Sequence, residues 1–242
     1  MSKVELISIL NDNYVFLITN LEQTEAILVD PGASSEAIKV IKYKNLKLIA
    51  ILITHHHADH IDGLAELQEQ FQAPTWAPFK NKNQIQADHY VSEGAEINIS
   101  SFKIKVIDLP GHTLGHIAYW FAEQKWLFSG DVLFGLGCGR LFEGSFEEGF
   151  KSLQKIKSLP DDTFIFCTHE YTEANLLFYK SLALDFSEEI KNYEKDLKQK
   201  ISLNVPSVPL LLSVEKKVNP FLLAKNVEIF SNLREQRNWF KA

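Results

Sequence analysis

Five side chains able to hold a cation fall within six positions in the stretch Thr54-His55-His56-His57-Ala58-Asp59-His60. Neutral imidazole and carboxylate are the ligands that borderline ions such as zinc or iron accept. The stretch ends an apolar run, residues 48–53. A buried strand that discharges into such a cluster puts it at the carboxyl edge of a sheet, where a loop can turn several ligands toward one point. An engineered tag would instead be terminal and uninterrupted. Three further loops carry ligand-type residues just after apolar strands: Gly111-His112-Thr113-Leu114-Gly115-His116, Gly130-Asp131 and Thr168-His169-Glu170. A lone histidine at a strand end is usually a hydrogen-bonded structural residue. Four such loops in one chain point to a metal centre.

The elements that must position these loops follow from patterning. Residues 4–10, 14–19 and 26–30 read as adjacent antiparallel strands, with Asp30-Pro31-Gly32 closing the third. Ser34 or Ser35 can cap a helix to about residue 44. Next come a strand over 47–53, the histidine loop, and a helix over about 61–71 with Leu64, Leu67 and Phe71 on one face. The mixed stretch 73–100 is expected to hold one short strand and one short helix. Strands follow at 102–109, 117–121 and 125–129, then an amphipathic helix at 146–159 and a buried strand at 163–167. This order suggests two mixed sheets stacked between outer helices. Beyond Glu170 the β signal stops: 172–200 reads as helical, 202–209 as an irregular connection, and the rest as two helices parted at Asn219-Pro220. Residues 1–171 and 172–242 are therefore expected to be separate domains, the second small and all-helical.

Composition excludes several classes. The chain has 242 residues, 45% hydrophobic and 23% charged, with a formal net charge of -6. Its lysines are dispersed, so no basic face awaits nucleic acid. Nowhere do eighteen apolar residues run together, and the opening residues 1–10 have too short an apolar run for a signal peptide. With Cys138 and Cys167 the only cysteines, a disulfide framework is not expected. A cytoplasmic monomer acting without membrane or nucleic-acid partners is the expectation.

The motif His55-x-His57-x-Asp59-His60, with His112, Asp131 and His169, resembles the ligand set of the metallo-β-lactamase superfamily. Within it, residues 137–144, Thr168-His169-Glu170-Tyr171-Thr172, Asn219-Pro220-Phe221 and the opening Asn11-Asp12-Asn13-Tyr14 are similar to glyoxalase II, the hydroxyacylglutathione hydrolases. The resemblance covers nearly the whole chain. It implies an α+β fold, a four-layer αβ/βα sandwich with a helical C-terminal domain that binds substrate. It implies that His55, His57 and His112 hold one divalent ion and Asp59, His60 and His169 a second, with Asp131 bridging. Zinc is the first expectation and iron or manganese are alternatives. A hydroxide bridging the ions, held through Asp59 and Asp131, would attack the thioester of S-D-lactoylglutathione. His116 would orient the site from behind the ligands, His56 would point away, and His89 would lie at the surface.

Of 25 basic residues only Arg140, Arg234 and Arg237 are arginine. Arginine offers a planar fork that pairs two-pronged with carboxylate, and glutathione carries two carboxylates. The resemblance implies that Arg140, Phe142, Tyr171, Arg234 and Arg237 contact the peptide part of the substrate. Phe142 stands where the family commonly has tyrosine, Ala58 where a larger residue is frequent, Asp62 where glycine is, and Leu223 where arginine is. A persulfide dioxygenase with one iron is the alternative, since that relative shares a Thr-His-x-His-Ala-Asp-His loop and a Gly-Cys-Gly-Arg stretch. Cys167 lies inside an apolar strand and Cys138 between two glycines, where a small side chain packs, so neither is expected to act as a nucleophile.

Overall fold

The computed structural model describes residues 2–182 and 187–241. Strand β2 (Asn13–Thr19) is buried along its whole length, and its alternation explains the layering. Phe16 and Ile18 face one core and Val15 and Leu17 another, as expected of a strand covered on both sides. With β1 (Lys3–Ile9), β3 (Glu25–Val29), β4 (Lys47–Leu52), β5 (Thr75–Pro78) and β6 (His89–Val91) it forms a sheet in sequence order. The first three strands pair antiparallel and the rest parallel. The second sheet contains β7 (Glu96–Ile99), β8 (Phe102–Asp108), β9 (Ile117–Phe121), β10 (Trp126–Gly130), β13 (Phe164–Cys167) and β14 (Leu210–Leu211), in the order β14-β13-β10-β9-β8-β7, while β11 (Leu133–Phe134) and β12 (Gly137–Cys138) pair by themselves. In β8, Phe102, Ile104 and Val106 turn inward while Lys103 and Lys105 are exposed.

Phe128 and Phe166 stack with ring centroids 4.9 Å apart, and Phe16 meets both at an angle at 5.4 and 5.7 Å. Helices α1 (Ser35–Tyr43) and α3 (Leu64–Phe71) cover the outer face of the first sheet through Ala37, Ile41, Leu64 and Leu67. Helix α4 (Phe146–Lys157) starts in a capping box, with the Ser145 hydroxyl accepting from Glu148 N and the Glu148 carboxylate accepting from Ser145 N. Leu153 and Ile156 bury one side of it in the main core. The α+β sandwich expected from the sequence is the observed fold.

Four local expectations change. The helix expected over 61–71 is two, α2 (Ala58–Ile61) and α3, because Gly63 presses against the Pro31–Ser34 backbone and donates to Pro31 O at 2.9 Å. Ser34 does cap α1 by position, yet its hydroxyl is spent on Glu66 rather than on a helix amide. The stretch 73–100 holds three strands, β5 to β7, and a single 3-10 turn. The fourth change is that β structure returns after residue 172.

Helix α5 (Thr172–Ser181) and α6 (Glu188–Ser202) replace the helical stretch expected over 172–200, whose residues 183–186 lie outside the described residues. Then β14 pairs with β13 before α7 (Leu212–Val218), α8 (Pro220–Leu223) and α9 (Val227–Trp239). Phe178, Phe221 and Phe230 of these helices join the main core, while Leu136, Leu176, Ile190 and Leu197 make a small core of their own. Among the described residues no helix is long and apolar enough to cross a membrane.

Candidate metal centre

Strands β3, β4, β8, β10 and β13 all run toward one edge, so their exit loops meet there. Ile117 N donates to Thr54 O and Tyr14 N to Thr168 O, tying the two sheets together at this edge. The histidine motif works because the backbone changes form inside it. At His57 it is extended, and in an extended segment alternate side chains share a face. His55 and His57 therefore face inward, while His56 turns to Asn81 and Glu143. The short helix α2 then brings Asp59 and His60 round to the same point.

Ligand atoms gather in three groups whose members lie within 4.8 Å of one another: His55, His57 and His112, then Asp59, His60 and His169, and between them His55, His60 and Asp131, which links the first two. In the first, His57 Nδ1 is 3.1 Å from His55 Nε2 and 2.9 Å from His112 Nε2. In the second, Asp59 Oδ2 is 3.7 Å from His60 Nε2 and 3.3 Å from His169 Nε2. Asp131 reaches both, with Oδ2 3.4 Å from His112 Nε2 and 3.2 Å from His169 Nε2, and Oδ1 3.5 Å from His60 Nε2. Buried polar atoms normally have partners, yet His60 Nε2 and Asp131 Oδ1 have no hydrogen bond within the described chain. Both face the cluster, so this donor set fits divalent cations.

Four of the five imidazoles are aimed by a contact on the outer nitrogen. His55 Nδ1 meets the Thr54 hydroxyl at 3.1 Å, His112 Nδ1 the Arg140 carbonyl at 2.7 Å, His60 Nδ1 the Asp30 carboxylate at 3.0 Å and His169 Nδ1 the Asp12 carboxylate at 2.9 Å. Asn13 Nδ2 donates to Asp59 Oδ2 at 2.9 Å. Buried His116 stacks on His55 at 4.6 Å and accepts from Asp131 N at 3.1 Å. The backbone approaches closely too: a Cβ on Gly139 would stand 1.9 Å from Asp131 O.

Charge divides the groups. Burial lowers the pKa of His55, His57 and His112. Burial also opposes protonation of His60 and His169, but Asp131 and Asp30 push His60 up to about 10, and Asp131 and Asp59 push His169 up to about 11. The hydrogen bond from His169 holds Asp59 below the usual carboxylate range. Asp131 is lowered as well: burial favours its neutral form, and His60 and His169 outweigh that.

Above the cluster is a cavity of about 430 Å³ lined by His57, Asp59, His112, Asp131, His169, Phe134, Arg140, Phe142 and Tyr171. Beside it a cavity of about 210 Å³ shares Phe134, Arg140 and Tyr171 and adds Asn175, Arg234 and Arg237. Tyr171 stacks on His169 at 4.6 Å, and Phe142 stands edge-on to His57 and His112. Arg237 Nε donates to Asn175 Oδ1 at 3.0 Å. Arg234 is only 5% exposed and donates Nη1 to Cys138 O at 2.6 Å, so part of its fork ties α9 to the chain beside Gly139. Burial raises the thiol pKa of Cys138 and Cys167. His89 is exposed and stacks on Trp76. A further cavity of about 430 Å³ between α6, α7 and β14 contains none of the cluster residues.

Sequence reasoning missed Asp12, Asn13 and Asp30, the residues that aim His169, Asp59 and His60. A signal was present, since Asp12 and Asn13 lie in the opening stretch that carries the family resemblance and Asp30 closes a strand, but no role for these side chains followed from either.

A family model described as the metallo-beta-lactamase superfamily matches residues 10–169, and one described as the hydroxyacylglutathione hydrolase C-terminus matches residues 170–240. A hydroxyacylglutathione hydrolase from Bdellovibrio bacteriovorus is 52% identical, with 97% of each chain covered. One from Nitrosomonas eutropha is 43% identical over 87% of this chain and 81% of that one. Among solved structures, ETHE1 from Myxococcus xanthus superposes with TM-score 0.74 at 23% identity, over 99% of this chain and 92% of that one. TTHA1623 in a di-iron-bound form superposes with TM-score 0.66 at 22% identity, over 90% and 100%. Similarity at that level speaks for the fold alone.

Proposed function

Since the chain belongs to the metallo-β-lactamase superfamily and, within it, to the hydroxyacylglutathione hydrolases, we propose that it hydrolyses the thioester of S-(2-hydroxyacyl)glutathione. S-D-lactoylglutathione is the foremost substrate, giving D-lactate and glutathione. The observation that carries this reading is the convergence of seven ligand-type side chains into two groups joined by Asp131. His55, His57 and His112 are assigned to one divalent ion and Asp59, His60 and His169 to another, with Asp131 shared. Zinc suits these donors, as do iron and manganese, and supply in the cell can decide among them.

When bound, two such ions supply Lewis acidity, bringing the pKa of water toward about 7 and stabilising negative charge on a carbonyl oxygen. The chain's residues do the rest. Asp59 and Asp131 offset the ions' charge and orient water for attack on the acyl carbon. The C–S bond then breaks, oxygen from water stays on the acyl group, and sulfur leaves with its electron pair and takes a proton. No protein nucleophile is needed, which agrees with two buried, weakly acidic thiols.

The peptide part of the substrate is assigned to the arginine-lined cavity beside the metal-type cluster. Arg140 and Arg237 offer forks for its carboxylates, Arg234 backs them, and Tyr171 and Phe142 form walls. Residues 1–171 then form the catalytic part and 172–242 the substrate-binding part of a cytoplasmic monomer. The C-terminal family match favours this reading over the persulfide dioxygenase with one iron.

Loss of thioester absorbance with S-D-lactoylglutathione, run beside the S-acetyl analogue, tests the activity. Rapid loss with the lactoyl substrate is expected, and metal-loaded protein inert toward both would contradict it. Arg237→Ala is expected to raise KM about tenfold or more, from ~1.5–3 kcal/mol per charge-assisted bond. An unchanged KM removes Arg237 from the site.

A further inference from the structure

Residues 10–12 make the turn between β1 and β2, and Leu10 takes a left-handed φ of 51° there. Although the turn belongs to the first sheet, backbone bonds clamp it to the second. Tyr14 N donates to Thr168 O at 2.8 Å, Glu170 N donates to Asp12 O at 2.9 Å, and Asn13 pairs with His169 in an isolated antiparallel bridge. The Tyr14 hydroxyl adds a bond to Glu170 at 2.9 Å.

From this fixed backbone two side chains reach ligands. Asp12 Oδ1 sits 2.9 Å from His169 Nδ1, and Asn13 Nδ2 donates to Asp59 Oδ2 at 2.9 Å. Asp59 lies in α2, beyond the first sheet's β4, and His169 lies beyond the second sheet's β13. One turn thus holds two of the three ligands of the second group across the gap between sheets. His55 and His112 of the first group rest on Thr54 and on the Arg140 carbonyl instead.

We propose that Asp12 and Asn13 are positioning residues that set the second cation site separately from the first. The proposal rests on the metal assignment given under the proposed function. Asp12 fixes the ring orientation and tautomer of His169 and strengthens Nε2 as a donor, while Asn13 fixes the rotamer of Asp59. Removing such outer contacts typically costs about ten- to a hundredfold in metal affinity. Here that loss falls on one ion.

The test uses full-length protein loaded with cadmium and dialysed against graded chelator, with ions per chain counted and cadmium NMR recorded. Wild type is expected to show two signals. Asp12→Ala and Asn13→Ala are expected to lose one ion at about ten- to a hundredfold lower chelator, keeping the signal of the all-imidazole group. Asp12→Asn, which retains an acceptor oxygen, should recover part of the loss. The inference is overturned if the variants keep both ions as tightly as wild type, or lose both together. Wild type binding no cadmium at all would instead sink the metal assignment itself, so the two failures are told apart.

Discussion

His55 and His112 rest their outer nitrogens on neutral oxygens, the Thr54 hydroxyl at 3.1 Å and the Arg140 carbonyl at 2.7 Å. His60 and His169 rest theirs on carboxylates, Asp30 at 3.0 Å and Asp12 at 2.9 Å. A third carboxylate, Asp59, stands directly in the second group, whereas the first is all imidazole apart from the shared Asp131. The difference has a direct electrostatic result. Burial keeps the first group's imidazoles neutral, while carboxylates hold protons on His60 and His169, where a cation would otherwise balance the charge. One half of the centre offers neutral donors, and the other is a charged cage in which cation and proton compete.

The largest test of that contrast removes what both halves share. Asp131→Ala is expected to lower turnover at least about a thousandfold, beyond the loss of a single oxyanion donor. Metal analysis should show that paired ions are no longer held, and a mutant with two tight ions and normal rate would erase the bridging role.

Competition with protons separates the halves next. His60 and His169, raised to about 10 and about 11, are protonated at neutral pH, so cation uptake there must expel protons. Affinity of the second half should therefore rise with pH up to about 10, by about tenfold per unit for each proton released. The first half, with pKa values lowered from 6.5, should be flat above that pH. Calorimetry in buffers of different ionisation enthalpy reads the protons, and equal release from both sites would break the contrast.

Asp30→Asn should weaken the second ion about ten- to a hundredfold and the first by less, since Asp30 meets His60 directly but reaches His55 only through the Thr54 hydroxyl that it accepts from, as read by chelator competition. The smallest effect belongs to Phe142→Ala. Its ring meets only first-half imidazoles, His57 and His112, edge-on and is 60% exposed. A loss of about two- to tenfold at the first ion is expected, and an equal change at the second would blur the distinction.

The ligands themselves were legible because each follows an apolar strand that ends in polar chemistry. Their outer contacts were not. Asp12 and Asn13 acquire meaning only when β2 meets the end of β13, a pairing across 156 positions marked by the bridge from Asn13 to His169. The break between α2 and α3 hides in the contact of Gly63 with Pro31, which periodicity does not register. Strand β14 is two residues long, too short for a period-2 pattern to stand out. The arginines were found by scarcity, but scarcity could not say that Arg234 would turn one donor inward to Cys138.

Titration of metal-free protein with zinc, following S-D-lactoylglutathione hydrolysis against ions bound per chain, shows whether turnover needs both cations. Full activity is expected only as the second ion binds, and is expected to vanish when chelator removes it. Full turnover with one ion, or with none, would contradict that dependence.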